Sequence, residues 1–178
     1  MQTLRDLKSH GEPGAVVYLA DCVDLMRLIP SARVDVVSAD PPYRLSGGGV
    51  SVKSGRIAPV DKGEWDRSMG FEKYHEFNVR WLGEARRVFK PDGTLWVSST
   101  HHIIFSSGFA LQSLGFRIIN DLIWVKNDPP PNALHTTFTH AHARRNTASR
   151  PRRPQASGPC GRPRATPNIV FRFWYPEG

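Results

Sequence analysis

Four consecutive residues, Asp40-Pro41-Pro42-Tyr43, concentrate the groups of this chain most suited to chemistry. Asp40 brings a carboxylate acceptor. Proline lacks an N–H but keeps its carbonyl, so Pro41 brings a second acceptor. The two rings stiffen the loop and hold both acceptors in place. Tyr43 adds a flat aromatic face. Such a set suits a planar ligand with an exocyclic amino group. An amine conjugated with its ring is a poor nucleophile, and acceptors on its hydrogens can turn its lone pair toward a methyl donor. Tyr43 would then stack on a base taken out of its helix. Placement, rather than a strong general base, would do most of the work. The same four residues also make an ordinary rigid turn.

Asp21 is a second candidate. It follows an apolar segment, where its carboxylate could meet the adenine amino group of a bound cofactor or cap the helix that follows, at residues 23 and 24. Cys22 beside it has no identifiable partner and reads as packing rather than as a nucleophile. Arg44, Lys53 and Arg56 flank the Asp40 loop, and Lys126 ends a later strand; each is a candidate for phosphate contact or an ordinary solvated cation. His101-His102, and the later His135, His140 and His142, have neither the spacing nor the neighbouring ligands of a zinc site. No metal is therefore expected. Trp65 and Trp124 read as packing residues that could line a cleft. Gly47-Gly48-Gly49 lacks the Lys-Ser/Thr ending of a nucleotide phosphate loop.

These residues need elements to hold them. Val16 to Ala20 reads as a short buried strand leading to Asp21, and Val23 to Ile29 as one or two helical turns stopped by Pro30. Val34 to Ala39 is β-branched and apolar, a strand that delivers Asp40 at its carboxyl end. Residues 44–67 have no clear period and read as a loop, suited to a lid or substrate-binding insertion. Phe77, Trp81, Leu82, Ala85 and Val88 recur at helical spacing, which predicts a long helix over 71–89 closed by a turn at Lys90-Pro91-Asp92-Gly93. Thr94 to Ser99 is a strand, His101 to Leu114 a helix weakened by Gly108, and Phe116 to Val125 a further strand. The alternation predicts an α/β domain with an open, mostly parallel sheet. Ligands of such sheets lie at the carboxyl ends of the strands, so Asp21 and the Asp40–Tyr43 loop are expected at one cleft.

The whole chain has 178 residues and a formal charge of +8. That length suits one domain with a real core. The charge is not spread over it. Residues 144–178 hold eight Arg and one acid, a net of +7, which leaves +1 for the preceding 143 residues. The basic excess thus says nothing about the surface of the expected domain. The tail reads as a disordered Arg/Pro-rich segment, although phosphate could hold it. Its last apolar stretch, Ile169 to Tyr175, either docks as a strand or is aggregation-prone. No apolar run approaches the ~18 residues of a membrane span. The amino terminus lacks a signal-like apolar stretch. Cys22 and Cys160 suggest no disulfide framework, so an intracellular, cytoplasmic setting is expected.

In order along the chain, several segments resemble the DNA adenine-N6 or cytosine-N4 methyltransferases of the circularly permuted class, whose catalytic motif precedes the glycine-rich cofactor motif. They are Leu19-Ala20-Asp21-Cys22 through Pro30, Val34-Asp35-Val36-Val37 with Asp40-Pro41-Pro42-Tyr43, Trp81 and Glu84 with Arg87 to Gly93, Leu95-Trp96-Val97, Ile123 to Asn127 with Pro131-Asn132, and Phe138-Thr139-His140. The resemblance covers roughly residues 16–142. It implies a partial Rossmann-like domain over 1–143 that uses S-adenosylmethionine. Asp40, Pro41, Pro42 and Tyr43 would hold the target amine and base, and Asp21, Cys22 and Asp40 would meet the cofactor. Double-stranded DNA would be the partner, with Arg44, Lys53, Arg56 and Lys126 on its backbone. Homodimers occur in the family. The chain departs from the pattern after His142, where Ala143-Arg144-Arg145-Asn146 stands in place of a glutamate and an aromatic strand. The later strand ending in a glycine-rich cofactor turn is not recognisable either. These departures predict a broken reading frame near residue 143, loss of a central strand and little activity of the chain alone.

Overall fold

The computed structural model describes residues 3–44, 50–53, 56–59, 70–127, 141–150 and 169–172. In chain order its elements are β1 (Lys8–Glu12), β2 (Ala15–Tyr18), α1 (Cys22–Arg27), β3 (Val34–Asp40), β4 (Val50–Lys53), β5 (Arg56–Pro59), α2 (Phe71–Val88), β6 (Phe89–Ser99), α3 (Ile104–Ser113), β7 (Arg117–Val125), β8 (His142–Ser149) and β9 (Ile169–Arg172).

The expected long helix is α2. Phe77, Trp81, Leu82, Ala85 and Val88 are all buried along one stripe, while Glu72, Lys73, Glu76 and Arg80 face solvent. Each fully buried large side chain of such a stripe contributes roughly 1.5–3 kcal/mol. Near its end, Arg87 holds Glu84 at 2.7 Å and donates to the carbonyls of Met26 at 2.6 Å and Ile29 at 2.9 Å. The acceptors lie at and just beyond the carboxyl end of α1, where helix carbonyls lack internal partners. One side chain thereby ties α1 to α2.

Five strands form the main sheet in the order β7-β8-β6-β3-β9. Strand β3 runs parallel to β6 on one side and to β9 on the other. Strand β8 runs antiparallel to both β6 and β7. Along β6, Leu95, Val97 and Ser99 are buried and alternate with half-buried Trp96 and Ser98. Leu95 and Val97 join Val37, Ala39 and residues of all three helices in one core. The helices therefore cover one face of the sheet, and Trp96 and Ser98 lie on the other.

Several expectations change. The sheet is mixed, not mostly parallel, because β8 contributes two antiparallel pairings. The expected boundary at 143/144 falls inside β8: Arg144 to Ser149 are strand residues, with Asn146, Thr147 and Ala148 buried. The charge pattern hid a strand whose Asn146, Thr147 and Ala148 are buried in succession, because β8 is paired on both edges. The segment before Asp21 is not a buried strand of the main sheet. It is the exposed second strand of a two-stranded hairpin, β1–β2. Asp21 therefore does not sit at a carboxyl end of the main sheet, and strand ends no longer place it in one cleft with Asp40. Residues 44–67 contain a second hairpin, β4–β5. Lys90 to Gly93 form no turn between elements but an irregularity within β6, between the pairings Val34↔Phe89 and Val36↔Thr94. Lys90 closes it by bonding both carboxylate oxygens of Asp35 at 2.9 Å. A Cβ at Gly93 would stand 3.1 Å from the Asp35 carbonyl, so the close approach favours glycine.

Finally, the slot beside β3 is filled. Ile169–Arg172 docks there as β9, so this edge of β3 is paired.

Candidate active site

Asp40 closes β3 and is exposed, whereas Pro41 and Pro42 after it are buried. The Tyr43 hydroxyl donates to the Asp40 carboxylate, folding the motif back on itself. Burial pushes the Tyr43 phenol well above its ordinary range. Its hydrogen bond to Asp40 and the charge of that carboxylate push the same way, against smaller opposing effects of Ser98 and Arg145. The phenol is therefore a neutral donor at physiological pH.

The loop is anchored from α2. Tyr74 donates its hydroxyl to the Pro42 carbonyl at 2.9 Å, and the Arg44 guanidinium stands over the Tyr74 ring at 5.3 Å. Arg44 has a left-handed backbone, with φ of 56°. That conformation costs a non-glycine residue on the order of 1 kcal/mol.

Beside Tyr43 a cavity of about 350 Å³ opens over the helix-free face of the sheet. Tyr43, Trp96, Leu122 and Trp124 supply apolar surface, and Lys126, Arg144 and Arg145 bring cations. Trp124 is 70% exposed, so it lines the cavity and is not a core residue. The Arg144 guanidinium is held by Asp121 at 3.2 Å. Aromatic faces beside cations suit a nucleobase and its phosphate.

Asp21 and Cys22 do not line this cavity. The Asp21 carboxylate accepts from the backbone N–H of Val23 at 2.8 Å and of Asp24 at 3.2 Å. This is the capping geometry, at the two residues expected for it. Cys22 is buried, and its thiol is pushed up to about 12, first by burial and then by the charge of Asp21. A thiol so protected is packing rather than a nucleophile. Lys53 and Arg56 face each other in register at the turn end of the β4–β5 hairpin. His101 and His102 are exposed with ring centroids 3.7 Å apart, and no metal-binding cluster of His, Cys, Asp or Glu occurs among the described residues. Trp65, His135 and His140 lie outside the described residues.

Comparison with known proteins decides the family. A family model for DNA methylases, the N6/N4 methyltransferases, matches residues 34–156. The chain belongs to the DNA methylase family. The match runs through the expected break at residue 143, as β8 does. Curated relatives include the type II methyltransferase M2.LlaDCHI of Lactococcus lactis subsp. cremoris, 46% identical over 74% of this chain and 49% of its own length. M2.DpnII of Streptococcus pneumoniae is 47% identical over 71% of this chain and 47% of its own length. This methylase chain thus spans about half the length of the curated relatives it matches. Among solved structures, the PvuII DNA methyltransferase, a cytosine-N4-specific enzyme, superposes with a TM-score of 0.55 over 74% of this chain and 48% of that one, at 16% identity. The Thermus thermophilus protein TTHA0409, solved with S-adenosyl-L-methionine, gives 0.53 over 79% and 57%, at 17% identity. These likenesses show the fold.

Among the described residues, no complete S-adenosylmethionine site is assembled. Register sets Arg172 of β9 beside Asp40 of β3. Phe173-Trp174-Tyr175-Pro176 then follow Arg172. A turn that brings its backbone against a cofactor needs glycine, because a Cβ fills the space. Asp21, the other candidate, is engaged as a cap.

Sequence reading reached Asp40 to Tyr43, Arg44 and Lys126 of this site, offered Trp124 as packing or cleft lining, and missed Tyr74, Trp96, Ser98, Leu122, Arg144 and Arg145. Tyr74 lies on the apolar stripe of α2, and a tyrosine there needs a partner for its hydroxyl. Trp96 and Ser98 were signalled by the two-residue alternation of β6. Arg144 and Arg145 carried no signal, since their place depends on β8 pairing on both edges.

Proposed function

We propose that this chain is the target-base side of a DNA amino-methyltransferase, whose reaction places a methyl group from S-adenosylmethionine on adenine N6 or cytosine N4. The carrying observation is the placement of Asp40-Pro41-Pro42-Tyr43 at the end of β3, anchored by Tyr74 and next to a cation-bearing aromatic cavity. In this reading the Asp40 carboxylate and the Pro41 carbonyl accept the two amino hydrogens of an extruded base. Tyr43 leaves Asp40 to stack on the ring, and Trp96 and Trp124 border the flanking surface. Lys126, Arg144 and Arg145 take phosphate, with Arg44, Lys53 and Arg56 further along the duplex. Adenine is preferred over cytosine on the Asp-Pro-Pro-Tyr form of the motif.

The test is transfer of a labelled methyl group from S-adenosylmethionine to unmethylated duplex DNA, followed by nucleoside analysis. Label in N6-methyladenine or N4-methylcytosine, lowered by about 10²–10³-fold in Asp40→Ala, supports the reading. Label at cytosine C5, or label that survives Asp40→Ala, overturns it. The bulky residues after Arg172 favour a second reading, a DNA-binding domain of this family without transfer. No label from a chain that melts cooperatively and binds DNA selects it. A broken reading frame near residue 143 would leave the Arg- and Pro-rich composition of 144–178, whereas the family match continues to residue 156. A family-like continuation in another frame of the coding DNA supports that origin, and none in any frame refutes it.

A further inference from the structure

Proline leaves the Asp40–Tyr43 loop short of donors. Neither Pro41 nor Pro42 has an N–H, so the loop cannot fix itself through its own backbone there. It is fixed from outside. Tyr74, only 2% exposed in the first turns of α2, donates to the Pro42 carbonyl at 2.9 Å across 32 residues of sequence. The same ring lies under the Arg44 guanidinium at 5.3 Å. One side chain thus grips the residue before Tyr43 and the residue after it. Between those grips, the Tyr43 hydroxyl reaches Asp40.

We infer that Tyr74 is a positioning residue for the target-base site: it fixes the Pro42 carbonyl and Arg44 so that Asp40 and Tyr43 present their acceptor and their ring in one geometry. The inference rests on the proposed function. Tyr74 touches no base itself. It acts through the loop, and its ring and its hydroxyl have separable jobs. The ring packs beside Phe77, at 6.2 Å between centroids, and the hydroxyl holds the loop.

Tyr74→Phe separates them, since it keeps the ring and deletes one oxygen. The loop amides of Tyr43 and Arg44 should exchange hydrogen about tenfold faster, with the amides of α2 from 78 to 88 unchanged and the melting midpoint nearly so. A homopolymer of deoxyadenylate or deoxycytidylate should lose its binding advantage over one of deoxythymidylate, at unchanged thymidylate affinity. Unchanged loop exchange overturns the inference. So does exchange that rises equally through α2 and β3, which is the mark of general loosening. Should Tyr74→Phe fail to fold, Arg44→Leu reads the second grip: faster exchange confined to the loop supports the inference, and unaltered exchange refutes it. If the wild-type chain shows no preference for amine-bearing bases, the proposed function fails, while the exchange experiment still decides whether Tyr74 holds the loop.

Discussion

Asp40 is exposed and Cys22 buried, and their surroundings set opposite chemistry. The Asp40 carboxylate ends a strand, reaches solvent and is met by a neutral phenol, so it is ready to accept hydrogen bonds. The Cys22 thiol is raised from 9.0 to about 12 by burial and the nearby Asp21 charge. Its folded value lies above its unfolded one, so its contribution to stability is intact below about pH 9 and is lost as pH rises toward about 12. Melting midpoints of wild type and Cys22→Ala should therefore converge through that window. A constant difference across it contradicts the assignment. At this scale the motif was legible because its residue types are unusual together. The partner of Tyr74 was not legible: a tyrosine on an apolar stripe signals that its hydroxyl needs an acceptor, but only the fold shows that acceptor to be Pro42.

Elements decide what a residue can do, and Asp21 is the clearest case. In the sequence it follows an apolar run, as a residue at the end of a sheet strand would. In the fold that run is the exposed strand of a hairpin, and Asp21 caps α1. Asp21→Ala should cost about 0.5–2 kcal/mol, and Asp21→Asn, which keeps the capping oxygen, much less. Urea denaturation of both variants checks this; equal losses would mean that the charge, not the cap, is what matters. Helix α2 was legible to within a residue because five apolar side chains mark its stripe. Strand β8 was not, because Arg144, Arg145 and Asn146 spoil any apolar period, and neighbours on both sides dictate its conformation.

On the scale of the whole molecule, helices cover one face of a mixed sheet, and the site lies at the end of β3 and over the other face. Strand β9 pairs with the edge of β3, whereas the departures from the family pattern predicted loss of a central strand. An open edge invites pairing with other chains. A chain ending at residue 168 should melt about 3 °C lower or more, corresponding to at least about 1 kcal/mol, and should aggregate during the melt. An unchanged, reversible melt would show that β9 adds nothing to the sheet. Among the described residues no helix is long and apolar enough to cross a membrane.

Everything proposed for this chain requires the Asp40 loop and its cavity to hold an amine-bearing base. Fluorescence anisotropy with equal-length single-stranded homopolymers of deoxyadenylate, deoxycytidylate and deoxythymidylate isolates that requirement, because all three carry the same phosphate charge. Hydrogen bonds to a charged acceptor are worth about 1.5–3 kcal/mol, so at least one amine-bearing polymer should bind about tenfold more tightly than the thymidylate polymer, and Asp40→Ala should erase the difference. Equal affinities for all three in the wild type, or a preference that outlives Asp40→Ala, would mean that this loop does not recognise the amine.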